Sequence, residues 1–286
     1  MSELFDSNFL QKIQQVTLYA GFSLDGSSAG NRKSRSTGSS VEFSDYREYT
    51  PGDDFRRIDW NAYGRFDKLF IKLFMEEREA PITIFLDVSK SMDWGEPNKS
   101  IASRRLAAAL GYMGLSGFDR ISLVCINDCV QKLCRNVRGR NFFNRLTDML
   151  ETVGYSGESN LQKALEGYSL QTGRGITVII SDFFSAGSFE EVLKYCKYKK
   201  QEIYICHILS PQELQPDIND SVRLIDSETG HDLNITVTPA LMNAYGKSLD
   251  SFKNLLQKAC FKYGAHYSLF SSGMRLEEMV KEVAVN

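Results

Sequence analysis

The sequence has no apolar run approaching the roughly 20 residues that a membrane-spanning helix needs. It has little charge imbalance: 34 Lys and Arg against 36 Asp and Glu leave a net charge of −2. That balance gives no support for nucleic-acid binding or for electrostatic attachment to a membrane. The amino terminus, Met1 to Ser7, lacks a basic segment followed by an apolar one, so no secretory signal is read and a cytoplasmic location is expected. The six cysteines (Cys125, Cys129, Cys134, Cys196, Cys206 and Cys260) follow no Cys-x-x-Cys spacing. Most sit in apolar surroundings and read as buried free thiols of a reducing compartment. The three histidines, His207, His231 and His266, follow no ligand spacing, and His207 and His266 fall in strand-like runs as core or edge residues. Neither a Gly-x-Ser-x-Gly elbow nor a Gly-x-x-x-x-Gly-Lys-Ser/Thr phosphate loop is present. No nucleophile is therefore supplied with a base, and no enzymatic activity is expected.

What is present centres on Pro81 to Met92. Ile82–Leu86 is an apolar run that reads as a strand buried on both faces. It ends on Asp87, with Ser89 and Ser91 following at alternate positions. A carboxylate and two hydroxyls thus leave the carboxyl end of a strand together, where open α/β sheets place their ligand sites. All three are hard oxygen donors of the kind Mg²⁺ prefers. Two later segments add to them. The loop Gly154–Asn160 places Ser156 and Ser159 before a helix, and the apolar strand Ile176–Ile180 ends on Ser181-Asp182. In a parallel sheet these carboxyl ends share one edge. Asp87, Ser89, Ser91, a hydroxyl of Ser156 or Ser159, and Asp182 are therefore the candidate ligands of Mg²⁺ or Mn²⁺, with waters completing an octahedron.

Around this centre the pattern is β-α-β. Helices are expected over 98–114, 141–153, 161–165, 188–199, from Thr238-Pro239 to about Tyr263, and over 274–283. Strands are expected at 121–126, 203–209 and 266–270, with an antiparallel edge strand at 129–135 and a hairpin flanking Glu228-Thr-Gly230. Apolar strands alternating with helices imply an α/β fold with a mostly parallel sheet covered on both faces. Upstream, residues 4–20 read as an amphipathic helix and residues 25–40 as a Gly/Ser-rich loop carrying Arg32, Lys33 and Arg35. Residues 41–65 interleave aromatic and charged side chains about Pro51-Gly52 and read as an extended or hairpin-like arm, followed by a strand over 69–74. Its carboxylates Asp45, Asp53, Asp54 and Asp59 lie among Arg47, Arg56, Arg57 and Arg65. They read either as a salt-bridged structural patch or as a surface for a partner. The division expected is residues 1–80, helix and arm, and residues 81–286, the α/β domain.

Asp87-Val-Ser-Lys-Ser91, Gly157-Glu-Ser-Asn-Leu161 and Ile180-Ser-Asp182 resemble the metal-ion-dependent adhesion site (MIDAS) of von Willebrand factor A domains. Ser159 stands where that family usually has Thr. The stretch Glu42 to Trp60, then Lys68 to Glu79 and the A-like domain, resembles bacterial proteins of the domain-of-unknown-function-58 family, from about residue 20 to the end. Many relatives carry upstream membrane helices, and no membrane anchoring is inferred here. The resemblance implies a von Willebrand factor A-like sheet with a β-rich amino-terminal arm. It also implies a non-enzymatic, metal-dependent interaction module, an adaptor or chaperone-like partner of a MoxR-type AAA+ ATPase or its client. An acidic residue of the partner would complete the metal's coordination. Two alternatives stand beside it: a metal-independent scaffold binding through Arg47, Asp53, Asp54, Arg56, Arg57, Asp59 and Trp60, and a Mg²⁺-dependent hydrolase, against which the missing catalytic motifs argue.

Overall fold

A computed structural model describes residues 4–19, 41–66, 68–76, 81–117, 119–184, 187–217, 221–225 and 232–285. The basic cluster Arg32, Lys33, Arg35 and the turn 228–230 lie outside the described residues. The chain divides into two compact units, one of residues 1–26 with 80–286 and one of residues 27–79. The first helix, α1 (Ser7–Tyr19), thus belongs with the large unit and not with the arm, as the 1–80 grouping had it. The reason is its apolar stripe: Phe5, Phe9 and Ile13 are buried in the same core as the third and last helices.

The smaller unit holds β1 (Val41–Glu48), α2 (Trp60–Phe66) and β2 (Phe70–Glu76). β1 and β2 pair antiparallel with a bulge between Phe43 and Asp45, which gives the hairpin-like arm expected. Helix α2 between them was not expected. It buries only Ala62, so it shows no apolar stripe, and it starts on the cap supplied by Asp59.

The larger unit is built on β3 (Pro81–Asp87), β4 (Arg120–Ile126), β5 (Val130–Val137), β6 (Gly175–Ser181), β7 (Gln201–Leu209) and β10 (His266–Ser271), in the spatial order β10-β7-β6-β3-β4-β5. All neighbours are parallel except β4 and β5. A separate antiparallel hairpin joins β8 (Ser221–Ile225) to β9 (Asp232–Thr236). The α/β, von Willebrand factor A-like sheet expected from the sequence is what forms. Strand β3 shows why. Alternate side chains of a strand face opposite ways, and its Ile82, Ile84 and Leu86 enter one core while Phe85 enters the other. On the first face lie α1, α3 (Lys99–Ser116), α4 (Phe143–Glu151) and α9 (Leu276–Val285). On the second lie α5 (Leu161–Tyr168), α6 (Phe189–Tyr198) and α8 (Pro239–Tyr263). Helix α3 approaches the sheet closely at Gly114, where a Cβ would stand 2.3 Å from Ile121 Cδ1. One further helix, α7 (Pro211–Leu214), is a single turn after β7. The cysteines are free thiols, five buried and Cys129 exposed.

Candidate metal-binding site

The register of the sheet brings the two acidic strand ends together. Leu86 pairs with Ile180 and Asp87 with Ile126, so Asp87 and Asp182 leave adjacent strands at one edge. The chain after Asp87 folds into a tight loop because the carboxylate accepts the Ser89 N–H on Oδ1 at 2.9 Å. The hydroxyls of Ser89 and Ser91 then lie 3.1 Å apart. The 154–160 loop is pinned to this turn by Ser156 N–H to Val88 O (3.0 Å) and Lys90 N–H to Gly157 O (3.0 Å). Asn127 supports it from the turn after β4, its side-chain amide donating to Ser156 O at 3.0 Å. Held this way, Ser159 donates to Asp87 Oδ2 at 2.8 Å. Ser181, at the end of β6, donates to the same oxygen at 2.6 Å.

The structure therefore gathers Asp87, Ser89, Ser91, Ser159 and Asp182 at one place. All except Ser91 are buried, and Ser91 is partly open to solvent. The two carboxylates are not equivalent. Asp87 is wholly buried and its donors are one amide and two hydroxyls, all neutral. Burial, with the charge of Asp182 added, pushes its carboxyl up to about 6, against the opposing hydrogen bonds from Ser181 and Ser89. Asp182 instead meets a cation: Lys99 Nζ donates to its Oδ2 at 2.8 Å, and the Phe184 N–H fills Oδ1 at 3.1 Å. Lys99 has no exposed side-chain surface and also donates to Glu213 Oε1 at 2.6 Å. Burial alone would depress this ammonium, but the charges of Asp182 and Glu213 outweigh it and raise it above its ordinary value.

These donors fit a hard cation. A buried carboxylate without a cationic partner is costly, and Asp87 has three serine hydroxyls around it. Oxygen donors of this type suit Mg²⁺ or Mn²⁺ with retained waters. Among the described residues no group of three or more His, Cys, Asp or Glu side chains is assembled. Any ion here rests on the Asp87 carboxylate and the hydroxyls, with Asp182 close by but bonded to Lys99.

Ser181, Lys99 and Glu213 were not singled out from the sequence. Glu213 was readable in part, because Ser210-Pro-Gln-Glu213 is a capping box, and it forms one: Ser210 Oγ accepts the Glu213 N–H while Glu213 Oε2 accepts the Ser210 N–H. His207 is buried as expected. It bonds Tyr267 Oη through Nδ1 at 2.7 Å, and burial lowers it to about 4. A neutral, structural imidazole results.

The arm residues are used mainly within their own unit. Arg47 pairs with Asp53 at 2.8 Å, and Asp53 also accepts from the Thr50 N–H and hydroxyl. These bonds, the Thr50 hydroxyl first, lower the Asp53 carboxyl to about 2. Asp54 accepts the Arg56 N–H, and Asp59 caps α2 through Asn61 and Ala62 while taking the Tyr46 hydroxyl at 2.8 Å. Trp60 is 64% exposed, and Phe55, Tyr63 and Phe66 are exposed with it. The side chains of Asp45 and Arg57 lie outside the described ones. An open hollow of about 750 Å³ is lined by Tyr46, Asp59, Arg65, Phe66 and Phe70.

Among solved structures, the chain is similar to an aerotolerance-related membrane protein of Bacteroides fragilis, with 13% identity, 72% of this chain and 100% of that one covered, and a TM-score of 0.43. It is also similar to the conserved hypothetical protein BatB of Bacteroides thetaiotaomicron (12%, 72% and 97% covered, TM-score 0.44) and to an uncharacterised membrane-spanning protein of Vibrio fischeri (12%, 68% and 91%, TM-score 0.25). These descriptions correct the cytoplasmic location expected from composition: proteins to which this chain is similar are described as membrane proteins. Among the described residues no helix is long and apolar enough to cross a membrane. In sequence the chain is 25% identical over 255 residues to uncharacterised proteins of Mycobacterium tuberculosis and Mycobacterium bovis, covering 86% of this chain and 79% of each of those. Residues 45–252 match the family described as "Protein of unknown function DUF58", a span that takes in most of the arm, both acidic strand ends and the first half of α8, and the chain belongs to that family.

Proposed function

We propose that the chain is a non-enzymatic interaction module that engages an acidic side chain of a protein partner at the Asp87 site in a divalent-cation-dependent way. A von Willebrand factor A-like fold is consistent with a protein-interaction module, and the finer reading rests on Asp87. It is a fully buried carboxylate among neutral donors at a sheet edge, an arrangement that calls for positive charge. Asp87, Ser89 and Ser159 would hold Mg²⁺ or Mn²⁺, with Ser91 at the solvent side and Asp182 behind. When bound, the cation supplies an electron-poor centre that a carboxylate can complete. The chain's own part is to fix the hydroxyls, exclude bulk water from Asp87 and leave one side open at Ser91. Following the family resemblance, the partner is a MoxR-type AAA+ ATPase or a client protein.

The test is retention of the host's MoxR-type ATPase on immobilised protein with Mg²⁺ and with EDTA, for wild type and Asp87→Ala. Retention by wild type with metal alone supports the reading. Equal retention in all four conditions refutes it.

A second reading, metal-independent binding through the arm, is favoured by a separate observation. Phe55, Trp60 and Phe66 are each 64–66% exposed, and among the described residues Arg56 and Arg65 beside them form no ion pair. Trp, Tyr and Arg dominate binding hot spots. Retention that survives EDTA but is lost in Trp60→Ala supports this reading instead.

A further inference from the structure

Among the described residues, one buried cation lies beside the candidate ligands. Lys99 Nζ lies 2.8 Å from Asp182 Oδ2 and 2.6 Å from Glu213 Oε1, with neither the lysine nor Asp182 exposed. A buried lysine is rare unless paired, and this one is paired twice. It is held from every side. Its backbone N–H donates to Trp94 O at 3.0 Å, and it is the first residue of α3, directly after the Asn98 cap. Glu213 is fixed by its capping box with Ser210. Phe184 lies over the ammonium, 5.9 Å from it to the ring centroid, and stacks in turn on Phe252. With the Phe184 N–H on Oδ1, both oxygens of Asp182 are occupied. Asp87, by contrast, receives only neutral donors.

We infer that Lys99 is a built-in counter-cation that keeps Asp182 out of the ligand set and so limits how tightly the site holds a divalent ion. A metal can approach Asp87 by turning the hydroxyls that surround it, but it can reach Asp182 only by displacing an ammonium that has no solvent to go to. The site then offers a divalent ion one carboxylate and hydroxyls. It binds the ion weakly and leaves it electron-poor, which suits exchange and completion by a partner's carboxylate. Lys99 is thus an affinity-setting residue, not a ligand. This inference rests on the cation-dependent reading above.

The test measures Mn²⁺ affinity by electron paramagnetic resonance, with Mg²⁺ competition, on the full chain. The variants are Lys99→Met and the double variant Lys99→Met/Glu213→Gln. The double variant removes one charge of each sign, so the net charge is unchanged and only one carboxylate is left without its ammonium. It therefore carries the test even where Lys99→Met alone does not fold. Freeing a carboxylate within reach of the ion is expected to tighten binding by roughly tenfold or more. A smaller gain, or a loss, while wild type still binds Mn²⁺ overturns the role of Lys99 and leaves the cation-dependent reading intact. Binding by the double variant but not by wild type supports the role of Lys99 and refutes cation dependence for the natural protein. Absence of binding in both refutes both.

Discussion

Gly95 tests how the candidate site is tied to α7. Its φ is +95°, a conformation that costs an L-residue roughly 1–2 kcal/mol. A Cβ there would stand 2.4 Å from Ser210 Cβ and 3.1 Å from Ser210 Oγ. Ser210 is fully buried and caps α7, so it cannot yield without disturbing the cap that fixes Glu213 against Lys99. Overpacking of this kind costs about 1–3 kcal/mol, while alanine's smaller unfolded-state entropy returns roughly 0.4–1 kcal/mol. Gly95→Ala is therefore expected to destabilise the larger unit by about 1–5 kcal/mol, near 3 kcal/mol at the middle of that range. The assay is urea unfolding followed by tryptophan fluorescence. A Trp60→Phe background leaves Trp94, the neighbour of Gly95, as the reporter. With a slope on the order of 3 kcal/mol per molar urea, the midpoint falls by close to 1 M at an unchanged slope. A variant within about 0.5 kcal/mol of wild type would mean that the loop and α7 are not rigidly apposed, and the reasoning fails.

Leu106→Ala empties a fully buried position of α3 and is expected to cost about 2–5 kcal/mol by denaturant unfolding. Asp59→Ala removes the α2 cap and the acceptor of the Tyr46 hydroxyl; loss of the cap is worth about 1 kcal/mol, so amide exchange in α2 should quicken several-fold. Asp53 has its carboxyl lowered from 3.8 to about 2. Its contribution is thus complete above pH 3.8 and lost as pH falls through about 2, and a carbon-detected NMR titration of Asp53 should give a midpoint well below that of an exposed aspartate. Saturating Mg²⁺ should raise the melting temperature of wild type and not of Asp87→Ala, since a ligand at about 100 times its Kd adds about 2.7 kcal/mol; equal shifts in both would place the ion elsewhere.

Much of this was legible from local pattern. Ile82–Leu86 and Ile176–Ile180 are apolar but for the β-branched Thr83 and Thr177, so each reads as a strand buried on both faces, with Asp87 and Asp182 at their ends. Thr238-Pro239 announced α8, and Thr238 does cap it, accepting the Leu241 N–H at 3.2 Å. Helix α2 was not legible, because a helix that buries one alanine leaves no periodic stripe. The arm's charges gave two readings in sequence, and their partners show how the described ones are spent: Asp53 on Arg47, Asp54 on the Arg56 N–H, and Asp59 on the start of α2.

The sequence by itself determined the alternation of strands and helices, the acidic strand ends and the serines that follow them, because these depend on residues a few positions apart. Only the tertiary structure decided that the two carboxylates differ. Asp182 meets an ammonium 83 residues earlier in the chain, which also reaches a glutamate 114 residues beyond it. A lysine after an Asn cap looks like any solvated first-turn residue. Its burial follows from the parallel pairing of β3 with β6 and β6 with β7, which folds three distant segments over one edge and leaves the ammonium nowhere else to point.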